Sequence, residues 1–407
     1  MELIDRPAYL DWLTSWQGHD LVKVVTGVRR AGKSTILKLF RQRLAAQGVA
    51  AGQLVHINLE DPDQERSFAA GLKLYDHLKA HLPDDKPSYV FIDEAQHLQE
   101  LERTVAGLSL LPKVDLYLTG SNSSFLSRDL ATRLTGRFVE LHVLPLSYPE
   151  YVAGFRPPDQ PAGAAPADPW QTYLRDGGFP YTLRLQPDQQ MIREYLLDVL
   201  NTVILRDIAP RQSSFSPALF DSILAFMFDN IGNFASVNNI SNTLTSMGRR
   251  TGRAAVDNYL QGMVASYLLY PAQRYDLRGK TYLENSAKYY VVDTGMRRAL
   301  LGGRHLDTGH VLENIVFLEL LRRQNKVCVG KIGPTEVDFL ADGNDGLTYI
   351  QVCQTVNDPA VLERELAPLR AIQDNYPRLL LVGDDQPPTD HAGIRQLSVR
   401  DWLLENQ

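Results

Sequence analysis

The chain is poor in the residues that would commit it to a secreted, metal-clustered or membrane-spanning fold. It has only two cysteines, Cys328 and Cys353, among 407 residues. That excludes a disulfide scaffold and fits a reducing compartment. No Cys/His group has the spacing of a zinc site. No apolar run approaches the roughly 18 residues that a membrane helix needs. The opening residues, Met1-Glu2-Leu3-Ile4-Asp5-Arg6, lack the pattern of a signal peptide. A cytoplasmic protein with no membrane partner is expected. Charge of one sign is also missing. Lys and Arg number 42 against 48 Asp and Glu, a net charge of −6, so the whole chain is no polycation. Hydrophobic residues make up 44%, enough for packed cores, and the length suggests two or three domains at about 100–200 residues each.

What is present begins with Gly27-Val28-Arg29-Arg30-Ala31-Gly32-Lys33-Ser34-Thr35, a complete G-x-x-x-x-G-K-S loop. It follows an apolar run at 21–26 and opens a helical pattern from Ile36, the strand–loop–helix context that such a loop requires. Backbone N–H groups curl around phosphates there, and the helix N-terminus favours negative charge. Residues 27 and 29–35 are the expected nucleotide contacts, with Lys33 on the β- and γ-phosphates and Ser34 on Mg²⁺. The second half of the site is Tyr89-Val90-Phe91-Ile92-Asp93-Glu94-Ala95-Gln96. Its four apolar residues suggest a strand buried on both faces, and its acids lie where ligands bind in open α/β sheets. Asp93 is expected to hold Mg²⁺ and Glu94 to activate the attacking water, which implies hydrolysis. ATP is the expected nucleotide, because no Asn-Lys-x-Asp guanine-reading motif follows the central strands.

Strand-like segments at 21–26, 54–59, 89–93, 114–119 and 138–143 alternate with helical patterns at 34–48, 69–81, 98–110 and 123–132. The expected fold is α/β, with a parallel sheet covered on both faces. Ser121 and Asn122 follow the fourth strand and could sense the γ-phosphate; either also suits a helix N-cap. Arg133 and Arg137 are candidates to stabilise charge during phosphoryl transfer, within the chain or from a neighbouring subunit in a homo-oligomer, although an arginine here also suits a solvated surface. Residues 155–170 are rich in Pro and Ala and read as a linker.

Helical patterns at 218–230, 237–247 and 252–266, then candidate strands at 268–274 and 282–284, suggest a winged helix-turn-helix. Between 244 and 300, nine basic residues (249, 250, 253, 274, 278, 280, 288, 297 and 298) stand against four acidic ones. A basic island in an acidic chain is the expected footprint for DNA or RNA, though a winged helix also serves protein partners. The last segment, about 307–407, reads as a separate α/β domain with a helix at 310–322, strands at 326–329, 336–341, 347–353 and 379–382, and a helix near 359–374.

Nearly the whole chain resembles a widespread prokaryotic AAA-type ATPase family that ends in a domain of unknown function. The resemblance rests on the 27–35 loop with its double arginine, Ile57-Asn58-Leu59-Glu60-Asp61-Pro62, residues 91–96, Leu134-Thr135-Gly136-Arg137 and Leu144-Pro145-Leu146-Ser147-Tyr148. Gly177-Gly178-Phe179-Pro180, Leu312-Glu313-Asn314 and Glu336-Val337-Asp338-Phe339 complete it. It implies an AAA+ ATPase domain at 1–150, a linker and helical connection at 151–215, a winged-helix region at 216–305 and a restriction-endonuclease-like fold at 306–407. Such a nuclease site resembles D…(D/E)-x-K, but this chain has Gln351 and Cys353 where the acid and lysine would stand, so cleavage is not expected. The leading expectation is an ATPase whose cycle controls a nucleic-acid-binding module. A slow nucleotide-dependent switch for a protein partner and an ATP-gated nuclease are the alternatives.

Overall fold

Five short apolar segments build one all-parallel sheet. In the computed structural model, which describes residues 3–83, 85–123, 136–156, 167–212, 214–249, 251–277, 279, 281–303, 307–344 and 346–405, with backbone alone over 283–286, they are β1 (Val22–Thr26), β2 (Leu54–Asn58), β3 (Ser88–Asp93), β4 (Val114–Gly120) and β5 (Phe138–His142), ordered β2-β3-β4-β1-β5. Every residue of β1 and β3 is buried, as expected of central parallel strands covered on both faces. Helices Lys33–Ala46, Pro62–Phe68, Lys73–His81 and Leu101–Leu108 cross between strands. Val24, Val90, Ile92, Leu116 and Leu118 pack on one side against Leu74, Leu78 and Val105 from these helices. Arg133 and most of the helix expected at 123–132 lie outside the described residues, as do 157–166 of the Pro/Ala-rich stretch.

The chain divides into two units, Met1–Val143 with Ala265–Tyr267, and Leu144–Val264 with Leu268–Gln407. The second holds helices Tyr148–Gly154, Pro169–Asp176, Gln189–Val203, Pro217–Asp229, Val237–Ser246 and Arg253–Ala265. It also holds a mixed nine-stranded sheet of β6 (Phe234–Ala235), β7 (Leu269–Asp276), β8 (Thr281–Val291), β9 (Lys326–Ile332), β10 (Thr335–Gly343), β11 (Gly346–Cys353), β12 (Arg378–Val382), β13 (Thr389–Asp390) and β14 (Arg395–Ser398). The order is β13-β14-β12-β11-β10-β9-β7-β8-β6. The β7–β8 hairpin carries β6 on its outer edge and joins β9 in parallel on the other. One sheet therefore runs across the 305/306 boundary expected from the sequence. β8 also extends well beyond the strand expected at 282–284.

A buried carboxylate ties the Gly177-Gly178 turn to the helix Thr294–Leu301. Asp293 caps that helix, accepting from the Met296 N–H at 2.8 Å, and also accepts from the Gly178 N–H at 2.6 Å. Gly177 has φ 73°, and a Cβ there would lie 2.2 Å from Asp293 Oδ1, so glycine is required twice over. Burial raises the Asp293 carboxyl to about 6, against the lowering effect of the Gly178, Met296 and Gly295 N–H groups. A carboxyl whose folded value is raised contributes most stability below its unfolded value and loses it as pH rises through the folded one. Unfolding free energy should therefore contain a term of about 2–3 kcal/mol that disappears between about pH 4 and pH 6. Urea titrations across this range should show that slope in the natural chain and not in Asp293→Asn, whatever the absolute stability of the variant.

Candidate nucleotide-binding site

Parallel register sets the site. Thr26, at the end of β1, stands opposite Gly120 and His142, and Asp93 ends β3. The phosphate loop, both acids and the Gly120-Ser121-Asn122 turn thus collect at the carboxyl edge of the sheet. Gly27 has φ 137°, and a Cβ on it would sit 2.1 Å from the Val143 carbonyl oxygen; Gly32 has φ 105° and caps the helix that starts at Lys33. Both glycines are demanded by the turn. Lys33 is buried, and its Nζ donates to the Gly27 and Val28 carbonyls at 2.9 and 3.2 Å. Arg6 braces the loop from the N-terminal segment by donating to the Ala31 carbonyl at 3.0 Å. Of the two loop arginines, Arg29 pairs with Glu60 at 3.0 Å while Arg30 is exposed with φ 68°. Ser34 and Thr35 begin the helix.

Across the edge, Thr119 organises both acids. Its hydroxyl donates to Asp93 Oδ1 at 2.6 Å and accepts from the Glu94 N–H at 2.9 Å. Glu94 has φ 51°, a left-handed conformation uncommon for a side-chain-bearing residue and often found at functional sites. Gln96 Nε2 donates to Glu94 Oε2 and, at 3.3 Å, to Ser121 Oγ. Burial pushes the Asp93 carboxyl up, but His56, Thr119 and Ser34 together outweigh it and hold the group below its ordinary value. Asp93 is therefore an anion at neutral pH. Behind the loop, Thr26 donates to Glu140 at 2.6 Å and lies 3.0 Å from His142 Nδ1. Burial, reinforced by Lys33, lowers His142 to about 4, so its ring is neutral. Tyr267 packs on it at 4.5 Å between ring centres.

Loop residues 27–35, Asp93, Glu94, Ser121 and Asn122 thus meet at one edge. Arg137 does not. Its carbonyl accepts from the Val22 N–H at 2.9 Å, at the opposite end of β1 and β5. Five strand residues at about 3.3 Å each place it roughly 16 Å from the loop. Arg137 is exposed there, away from the loop of its own unit. His56 has no motif to announce it, and Gln96, although inside the 89–96 run, carries no expected role there; the signal for both is polarity next to strand ends, visible once strand order is known.

A family model described as an AAA domain matches residues 19–152, and one described as a domain of unknown function matches 167–307. An uncharacterised protein of Haemophilus influenzae is 34% identical over 405 residues, 99% of each chain. The chain belongs to the family of that protein. An uncharacterised protein of Methanocaldococcus jannaschii is 29% identical over 369 residues, 87% of this chain and 79% of the other. Among solved structures, a Walker-type ATPase of Pyrococcus abyssi aligns at TM-score 0.49 with 17% identity, over 73% of this chain and 96% of that one. The first unit of this family member is a P-loop AAA+ domain, and a further helical and α/β region follows it. No helix among the described residues is long and apolar enough to cross a membrane.

The second unit gathers its own charged cluster where the sequence placed Glu313, Asp338, Gln351 and Cys353. Lys288 Nζ lies 3.0 Å from Glu313 Oε1 and 3.6 Å from Asp338 Oδ1. Tyr290 donates to Glu313 at 2.6 Å. Asp338, at a register shift in β10, accepts from the Val352 N–H at 2.9 Å, and Gln351 donates to Glu365 at 3.0 Å. Burial pushes the Asp338 carboxyl up to about 7, with Glu313 adding to it and Lys288 opposing. Burial lowers Lys288, but Glu313 and Asp338 reverse this, so the ammonium stays charged. Cys353 turns instead into the apolar cluster with Leu366, Leu369 and Val382, where burial raises its thiol to about 12. Among the described residues, no three His, Cys, Asp or Glu side chains form a metal-binding group.

Lys288, one of the basic island expected to face a polyanion, is not at the surface. It is a buried counter-ion, and two others of the nine basic residues are also internally engaged. Arg274 pairs with Glu336 at 2.5 Å, and Arg297 is buried with its guanidinium on the Phe228 and Asp229 carbonyls. The available signal was alternation: Lys288 and Tyr290 share one face of β8, and both reach Glu313. Lys288→Met should cost on the order of 3–5 kcal/mol, because it leaves Glu313 and Asp338 buried without a cation. Adding Glu313→Gln should recover part of that loss, as read by urea unfolding.

Proposed function

We propose that the chain is a Mg²⁺-dependent ATPase whose nucleotide cycle acts on its second unit. The observation that carries this reading is the bonded chain Asp93–Thr119–Glu94–Gln96–Ser121 facing the Lys33 loop. Loop N–H groups and Lys33 take the phosphates. Ser34 and the ionised Asp93 are oxygen donors of the kind Mg²⁺ prefers, and Ser34 helps to hold the Asp93 carboxyl in its charged form. The residues fit the ion, which when bound neutralises phosphate charge. Glu94 orients and deprotonates the attacking water, and Gln96 holds its carboxylate until substrate displaces that bond. Ser121 and Asn122 sense the γ-phosphate. Arg137, together with Arg133, serves the site of an adjoining subunit in a homo-oligomer. Lys33→Ala should lose nucleotide affinity. Glu94→Gln should keep affinity and slow turnover by on the order of 10²-fold or more; equal turnover in Glu94→Gln and the natural chain would remove Glu94 from this role.

Nucleic acid is the favoured output ligand. The order helix 217–229, β6, helix 237–246, helix 253–265 and hairpin β7–β8, with β6 on the outer hairpin strand, supports the winged-helix reading. Arg249 and Arg253 are exposed at the turn into helix 253–265, where a winged helix meets phosphates. The Lys288 ammonium between Glu313 and Asp338, with neutral Gln351 beside them, supports a nuclease-like fold that does not cut. Replacing Arg249, Arg250 and Arg253 together should weaken DNA binding and flatten log K against log salt by about 0.9 per lost phosphate contact. The same mixtures with Mg²⁺ or Mn²⁺ should show no cleavage. No binding by the natural chain at low salt would favour a protein partner, and cleavage abolished by Asp338→Ala would favour the nuclease.

A further inference from the structure

Helices Pro169–Asp176, Gln189–Val203 and Thr294–Leu301 of the second unit enclose a cleft of about 180 Å³. Its floor is apolar, formed by Ile192, Leu196 and Ala299, and three arginines line it: Arg175, Arg193 and Arg298. Of the three, only Arg175 is paired with an acid among the described residues. Its guanidinium bonds both oxygens of Asp176 at 2.8 and 2.9 Å, and Gln186 and Gln189 donate to the same carboxylate at 3.0 and 3.1 Å. Asp176 is thereby saturated and buried. Arg193 is fixed through its Nε, which donates to the Ala299 carbonyl at 3.2 Å. Among the described residues, no carboxylate ion-pairs with Arg193 or Arg298. Arg298 lies over Gly303, where a Cβ would come within 3.0 Å of its Nη2, and Gly302 has φ 75°. The glycine pair leaves room for the guanidinium at the cleft mouth.

Two arginine forks without acids, beside a third already neutralised, present a charge of two to a concave site. A phosphomonoester carries about −1.5 to −2 at neutral pH and accepts paired N–H bonds from guanidinium groups. The volume lies below the roughly 300 Å³ at which drug-sized ligands begin, so the occupant is small. We propose that this cleft binds a terminal phosphate group carried on a sugar, with the sugar against the apolar floor. A free sugar phosphate and the 5′ end of a nucleic-acid strand share that chemistry.

Calorimetric titration of the full chain carrying Lys33→Ala, which silences the phosphate loop, tests it. The probes are ribose 5-phosphate against ribose, and a 5′-phosphorylated dinucleotide against its 5′-hydroxyl form. Phosphate-dependent binding is expected, weakened about tenfold or more by Arg193→Gln with Arg298→Gln. Tighter binding of the phosphorylated dinucleotide than of ribose 5-phosphate identifies a strand end; equal or weaker binding identifies the free sugar phosphate. If the Gln pair does not fold, Arg193→Lys with Arg298→Lys is read in its place, and weaker binding is again expected because the planar fork is lost. No difference between phosphorylated and unphosphorylated probes, or binding unchanged in a folded variant, overturns the proposal.

Discussion

Parallel pairing of β1 with both β4 and β5 is the constraint on which the nucleotide site depends. It puts Thr26, Gly120 and His142 level with one another and sends three connections out over the same edge. The β3–β4 pairing then brings Asp93 beside Thr119. A one-residue slip in either register would turn the alternate side chains to the other face of the sheet and separate the Thr119 hydroxyl from Asp93. The buried faces make that slip expensive, because every residue of β1 and β3 is buried. Even Lys23 of β1 is held by Asp115 at 2.5 Å, with the Tyr117 hydroxyl and Gly18 N–H completing the carboxylate. The precision of the site is thus inherited from the packing of the sheet.

Local pattern made the first unit legible. All five strands fall within a residue or so of where apolar runs and flanking turns place them, and the loop and its acids are contiguous motifs. Arg137 shows the limit. Its neighbourhood in sequence says arginine near a P-loop domain, but only strand direction says which end of the sheet it occupies. His56 is a further case, since its 3.6 Å approach to Asp93 exists only because β2 lies next to β3.

The second unit was less legible because its chemistry depends on non-local pairing. The hairpin looked like a free wing, yet β7 pairs with β9 some fifty residues later in the chain, and this carries β8 alongside the helix Thr308–Arg322. Lys288 then meets Glu313, an acid that composition had counted in a different region. Lys288 thus brings a cation to Glu313 and Asp338 from another strand. Periodicity within 350–353 rightly put Gln351 and Cys353 on one side, but it could not show that Cys353 would be taken into the core while Gln351 bridges the Asp338 backbone and Glu365.

Charge counted along a sequence overstates charge available to a partner. Of the nine basic residues in 244–300, Arg274 and Lys288 are neutralised by acids beyond residue 300, and Arg297 stands on helix-end carbonyls. Those three contribute to folding, where desolvation would make an unpaired cation costly. The described bases left outward are Arg249, Arg253 and Arg298, and they divide by position: the first two at the turn into helix 253–265, the third at the mouth of a cleft on helix 294–301. A polyanion tracking the first pair and a compact anion held by the third make different demands on geometry. The first tolerates flexible, solvated side chains, because counterion release supplies much of its free energy. The second needs arginines fixed in advance, and the Arg193 bond to the Ala299 carbonyl fixes one of them.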